Sequence, residues 1–187
     1  MNTEQLSFGQ RIDTENGLVE LWLTHGALDW IKQQDWSGKN IIMYGGGMGN
    51  DWLAARCKSL VVIERDERWV KNSGNYTCIH RPCNDSSGMD EYYLEFPKNF
   101  IPDIIISDDA YRSEAVFMAI KHFQSLKGLG YILICDNYNQ SYIWRSPSAL
   151  EALEPFEKLI FEQPDHEDYN KELEPDGKWK TAVIFIK

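Results

Sequence analysis

Five short, nearly unbroken apolar runs constrain this chain more than any other feature: "NIIMY" (40–44), "LVVIE" (60–64), "YTCIH" (76–80), "DIIIS" (103–107) and "YILIC" (131–135). A strand with one wet face alternates apolar and polar residues, whereas a strand covered on both faces does not. Helical patterns lie between the runs. Apolar residues recur at Leu18, Trp22, Ala27 or Leu28, and Ile31, which predicts a helix over 14–34. "NDWLAARC" (50–57) reads as a helix capped by Asn50, another helix starts at about Asp66, and "SEAVFMAIKHFQSL" (113–126) is amphipathic and closed by Gly128 or Gly130. A further helix, 147–155, begins near Pro147. Strand–helix alternation of this kind predicts an α/β fold, a parallel sheet with helices on both faces. The last two runs, "KLIFE" (158–162) and "TAVIFIK" (181–187), have no helix between them and predict an antiparallel hairpin at one edge of a seven-stranded sheet.

A chain of 187 residues suits one domain, 1–187, with a helical N-terminal segment (1–39) and a sheet core (40–187). Its net charge of -10 opposes a role in gripping phosphates, so neither nucleic acid nor a membrane surface is an expected partner. Much of the acid falls within Glu151 to Asp176 and reads as a solvated loop. The four cysteines, Cys57, Cys78, Cys83 and Cys135, form no CxxC pair, and Cys78, His80 and Cys83 lack a fourth ligand at a metal-like spacing. With no signal-peptide pattern and no membrane-length apolar run, a reduced, cytoplasmic protein is expected. The aromatic-rich segment 14–34 is a candidate cover for a pocket or face for a homodimer.

Between the first strand and the next helix, "IIMYGGGMGND" sets Gly45, Gly46, Gly47 and Gly49. Four glycines in five positions exceed the needs of a turn and let a ligand approach the backbone closely. The dinucleotide pattern GxGxxG would need glycine where Asn50 stands, and no GxxxxGK[ST] loop occurs. The second strand ends at Glu64, about twenty residues further on, where an acid faces the crevice of such a sheet and can accept from a ribose diol.

The stretch "MYGGGMGNDWLAARCKSLVVIERDERW" resembles the first motif and ribose acid of class I S-adenosylmethionine-dependent methyltransferases. It is particularly similar to small O-methyltransferases, with Gly45, Gly47, Trp52, Leu53, Ala54, Glu64, Asp66 and Trp69 matching; "YLEFPKNFIPDIIISDDAYR" and "GYILICDN" resemble their fourth and fifth strands. The resemblance covers about residues 40 to 137. It implies a Rossmann-like sheet of order 3-2-1-4-5-7-6 with the seventh strand antiparallel. It further implies S-adenosylmethionine as cofactor, contacted by Tyr44, Gly45, Gly46, Gly47, Gly49, Asn50, Glu64, Arg65 and Asp108. Asp85, just after the third strand, either accepts from the adenine amino group or is loop-solvated. Two positions depart from the pattern. Met43 stands where these enzymes usually carry an acid, and Gly49-Asn50 replaces a Ser-Thr pair.

Asp108 and Asp109 close the fourth strand, and Asp136 and Asn137 close the fifth. Two carboxylates and an amide at adjacent strand tips suit a hard cation such as Mg²⁺, so Asp108, Asp136 and Asn137 form a candidate metal site; strand-end turn chemistry is the alternative. The set also resembles the metal site of catechol-type O-methyltransferases, but Tyr111 stands where their general-base lysine lies. Arg112 matches an Arg of the small enzymes and either orients a substrate or pairs with Asp108 or Asp109. The sequence "SDDAY" lacks the [DNS]PP[YFW] motif of DNA amino-methylases.

The expected function is methyl transfer from S-adenosylmethionine to a hydroxyl of a small-molecule or sugar-like acceptor, with Asp108 and Arg112 on the acceptor side. Two alternatives are a non-catalytic module that keeps the cofactor site, and an aminopropyltransferase. "GGGMG" followed by the strand-end acid also resembles the latter, although only about 39 residues precede the first strand.

Overall fold

The seven strands form one sheet in the order β3-β2-β1-β4-β5-β7-β6. They are β1 (Asn40–Tyr44), β2 (Ser59–Glu64), β3 (Thr77–His80), β4 (Ile104–Ser107), β5 (Tyr131–Cys135), β6 (Glu157–Pro164) and β7 (Lys178–Ile186). The computed structural model describes residues 10–71, 73–82, 99–109, 112–113, 116–117, 120, 130–138, 147–164 and 177–187. Strands β1 to β5 pair in parallel, and β7 runs antiparallel to both β5 and β6. Strand order and the reversed β7 agree with the sequence-based expectation.

The lack of alternation in the central strands has the anticipated cause. Ile42, Ile63, Ile105, Leu133 and Ile184 enter one buried cluster. Ile41, Met43, Val62, Ile104, Ile106, Ile134 and Val183 enter another, on the opposite face. Successive side chains point to opposite faces, so two covered faces demand apolar residues at every position. Each such fully buried Ile or Leu contributes roughly 2 kcal/mol. Edge strand β6 is different: charged residues interrupt it, and Ile160 is 46% exposed.

The N-terminal segment corrects the reading of one helix over 14–34. Only α1 (His25–Lys32) is helical, burying Ala27, Leu28 and Ile31. Ahead of it Asp13 Oδ1 accepts from the Glu15 amide, the Asp13 carbonyl from the Gly17 amide, and Asn16 Oδ1 from the Leu18 amide, with Gly17 at φ 69°. These side-chain-closed turns compete with helix, and Ile12 bridges Val19 in antiparallel fashion. Leu21 and Leu23 are buried while Trp22 between them is 36% exposed, a period of two rather than 3.6.

The helices after β1, after β2 and before β6 are shorter than expected. α2 (Asn50–Ala54) has Gly49 at its cap position, so Asn50 is its first residue. After β2 the chain makes only a 3₁₀ turn, Glu67–Trp69, because the Asp66 side chain accepts from the Arg68 amide and closes a single turn. Helical backbone occurs at 112–113, 116–117 and 120; the remainder of 113–126 and Gly128 lie outside the described residues. α3 (Pro147–Leu153) begins where proline predicted. Most of the acidic loop before β7 also lies outside them. Among the described residues no helix is long and apolar enough to cross a membrane.

Candidate functional site

Parallel β1, β2, β4 and β5 end on one edge of the sheet, at Tyr44, Glu64, Ser107 and Cys135. Antiparallel β7 starts at that edge, so Trp179 and Thr181 join it. Open α/β sheets bind ligands along this line.

The glycine loop turns at Gly45, whose φ is 88°. A Cβ there would lie 2.3 Å from the Asp108 carbonyl oxygen, so the loop packs against the chain leaving β4 as only glycine permits. Gly46 donates to Glu64 Oε2 at 2.5 Å, and the Asp66 amide donates to Glu64 Oε1 at 2.7 Å. Glu64 is 4% exposed. Burial raises its pKa and Asp109 adds to the rise, while the Asp66 and Gly46 amides oppose it; the net shift is upward. A Cβ at Gly47 would meet nothing within 4 Å, so the loop is open there. The Gly47 amide donates to Asn50 Oδ1 at 3.2 Å.

Gly49 has another duty. A Cβ there would fall 2.7 Å from Leu21 Cα and 2.9 Å from the Glu20 carbonyl carbon. Three residues on, the Thr24 amide donates to Thr181 Oγ1 at 3.1 Å. The segment Glu20–Thr24 therefore straps the site's edge from the glycine loop to β7. Its Glu20 is buried and held by Lys32 Nζ at 2.5 Å and Arg11 Nε at 3.4 Å. The Trp52 of the matched motif donates to Asp13 Oδ2 at 2.7 Å, and Arg56 lies over the Trp52 ring at 4.3 Å while pairing with the same carboxylate.

At the tips of β4 and β5 the acids gather around Arg112. Its Nη2 donates to Asp108 Oδ1 at 2.5 Å and to Asn137 Oδ1 at 2.8 Å, and lies 3.7 Å from Asp136 Oδ2. Its Nη1 donates to the Asp109 carbonyl at 2.7 Å. Arg112 is 6% exposed, so of the two sequence-based roles the structure displays the pairing one. Asp136 Oδ1 accepts from Trp179 Nε1 and Thr181 Oγ1, both at 2.9 Å. Burial pushes the Asp108 and Asp136 carboxyls well above the ordinary aspartate range and Arg112 pulls them back; Asp109 and Glu64 raise Asp108 further, and Asp108 raises Asp136. Asn137 has φ 50°, the left-handed region, at the strand tip.

The three candidate metal ligands share one partner. A guanidinium nitrogen stands within reach of the oxygens of Asp108, Asp136 and Asn137. Among the described residues no three His, Cys, Asp or Glu side chains group as metal ligands.

The remaining candidates scatter. Tyr44 is buried in a core cluster, and burial raises its phenol pKa. Arg65 Nε donates to Asp109 Oδ1 at 3.0 Å, tying the β2 tip to the β4 tip. Asp85 lies outside the described residues. Met43 belongs to the core cluster that contains Trp52 and Leu21. Trp179 and Thr181 were missed, although an antiparallel last strand necessarily delivers its first residues to this edge.

No family model matches the chain, and no curated protein matches it in sequence. Solved structures match it in fold. The N-methyltransferase NodS from Bradyrhizobium japonicum is similar at TM-score 0.59 and 15% identity, over 87% of this chain and 93% of that one. A TehB-like SAM-dependent methyltransferase from Corynebacterium glutamicum is similar at TM-score 0.54 and 14% identity, over 87% and 88%. The O-methyltransferase TomG from Streptomyces achromogenes, in complex with SAM, is similar at TM-score 0.50 and 12% identity, over 81% and 74%. Strand order, reversed β7 and these likenesses together give the chain the seven-stranded, Rossmann-like fold of class I methyltransferases.

Proposed function

We propose that this protein is an S-adenosylmethionine-dependent methyltransferase acting on a hydroxyl of a small-molecule or sugar-like acceptor. The observation that carries the reading is Glu64. Its carboxylate is fixed by two backbone amides beside a glycine loop that is open at Gly47. An ionised carboxylate has about four acceptor sites, so the Gly46 and Asp66 amides orient it without exhausting its capacity to accept from a ribose hydroxyl. The bound cofactor would supply an electrophilic methyl group on a sulfonium.

Asp108 is the acceptor-side group in this reading. Its Oδ1 is committed to Arg112, its Oδ2 has no hydrogen-bond partner among the described residues, and its side chain is 22% exposed. Burial has moved its pKa toward neutrality, which suits a group that takes a proton from a hydroxyl. Alignment of nucleophile and methyl then accounts for most of the rate.

A second reading, a module that binds the cofactor without catalysis, is favoured by Met43, since methyltransferases of this pattern usually carry an acid at that place and here the side chain is core. Incubation with methyl-labelled S-adenosylmethionine and a panel of catechols, sugars and other alcohols separates the two. Label on a hydroxyl, reduced at least about tenfold by Asp108→Asn, supports the proposal. Cofactor binding without transfer to any acceptor leaves the non-catalytic module.

A further inference from the structure

Asp108, Asp136 and Asn137 supply an oxygen set of the kind that binds a hard divalent cation. All three face one atom, Arg112 Nη2, at 2.5 Å, 3.7 Å and 2.8 Å. The three oxygens converge from two strand tips, and the nitrogen they converge on is itself anchored. Arg112 Nη1 is tied to the Asp109 carbonyl at 2.7 Å, and the side chain is almost wholly buried. Asp136 is held from the far side by Trp179 and Thr181 of β7.

We propose that the Arg112 guanidinium is a resident cation occupying the place of a divalent metal, so that the site excludes metal and Arg112 is a positioning residue that holds Asp108. Three features support this. A guanidinium keeps its charge at every pH the protein meets. Both Nη2 protons are used, one on Asp108 and one on Asn137, so this nitrogen offers no further donor to a substrate. Removing the positive charge would leave two buried carboxylates and an amide oxygen facing one another, a group that either protonation or a divalent cation would stabilise.

The test reads metal directly and is independent of cofactor binding and of activity, so its failure is distinguishable from failure of the methyltransferase reading. Mn²⁺ is titrated, by electron paramagnetic resonance, into wild type, Arg112→Ala and Arg112→Gln, the last keeping a polar group of similar reach. Thermal melts are run with and without Mn²⁺. Wild type is expected to bind no Mn²⁺ at millimolar concentration and to melt unchanged. At least one Arg112 variant is expected to bind one Mn²⁺ per chain at least about tenfold more tightly and to melt higher with it. Adding Asp136→Asn is expected to abolish that gain. A variant that folds only with Mn²⁺ present is the same result. Stoichiometric binding by wild type that Asp136→Asn removes would overturn the proposal. So would two Arg112 variants that bind no Mn²⁺, or that fail to fold with or without it.

Discussion

The Glu64 carboxylate accepts from the Gly46 amide at 2.5 Å through one oxygen and from the Asp66 amide at 2.7 Å through the other. One side chain thus joins the loop after β1 to the turn after β2. Glu64→Gln cannot satisfy both amides, because either orientation of the new side chain turns an NH₂ group toward one of them. We expect a loss of about 2 kcal/mol in stability by urea denaturation.

The glycines predict a graded series. Gly45→Ala combines a φ of 88° with a Cβ 2.3 Å from the Asp108 carbonyl oxygen, and should cost about 3 kcal/mol or more. Gly49→Ala drives a methyl into the Glu20–Leu21 backbone and should cost about 1–3 kcal/mol by displacing the strap. Gly47→Ala meets open space and should stay within about 0.5 kcal/mol of wild type in stability while weakening cofactor binding. Melting temperatures of the three variants check the order.

How legible this was depended on what each residue touches. The central strands could be read because residues such as Ile41 and Ile42 face two different buried clusters, and nothing but an unbroken apolar run satisfies that. The segment before α1 misled because Leu18, Trp22 and Ile31 fall at helical spacing by coincidence, while Gly17 and the Asp13 and Asn16 turns decide the backbone. Glu64 was legible as a strand-end acid after a glycine loop. The role of Gly49 was not, since its neighbour Leu21 is distant in sequence. The acids at Asp108 and Asp136 were legible, and so was the pairing of Arg112 with Asp108; its further reach to Asp136 and Asn137 was not, because sequence spacing does not reveal that Arg112 turns inward between the two strand tips.

The Arg112 cluster has a pH signature. A carboxyl whose folded pKa is raised holds its proton more tightly in the folded chain than in the unfolded one. The contribution of Asp108 and Asp136 is therefore full below the free-aspartate value of 3.8 and is lost as pH rises through their raised folded values. Asp136→Asn keeps an oxygen for Trp179 and Thr181 but has nothing to titrate. It should flatten the fall in melting temperature between mildly acidic and neutral pH. An identical slope in wild type and variant would contradict the assignment.

Asp13 has the opposite sign. Burial by itself would raise its pKa, but hydrogen bonds from the Glu15 amide and Trp52 Nε1, with the Arg56 charge, outweigh that and hold it below 3.8. Its contribution is present above that value and is lost as pH falls through the lowered folded pKa. Trp52→Phe removes one of the three donors and should cost about 1 kcal/mol near neutrality. The variant should also unfold at a higher pH than wild type in an acid titration.

The central claim is that the Glu64 carboxylate and the open glycine loop form a cofactor site. Calorimetric titration of S-adenosylhomocysteine into wild type and Glu64→Ala tests it most directly, with circular dichroism to verify that the variant is folded. The account predicts one site per chain with micromolar affinity in wild type, and at least about a hundredfold weaker binding in the variant. Absence of binding to wild type, or equal binding by a folded Glu64→Ala, would contradict it.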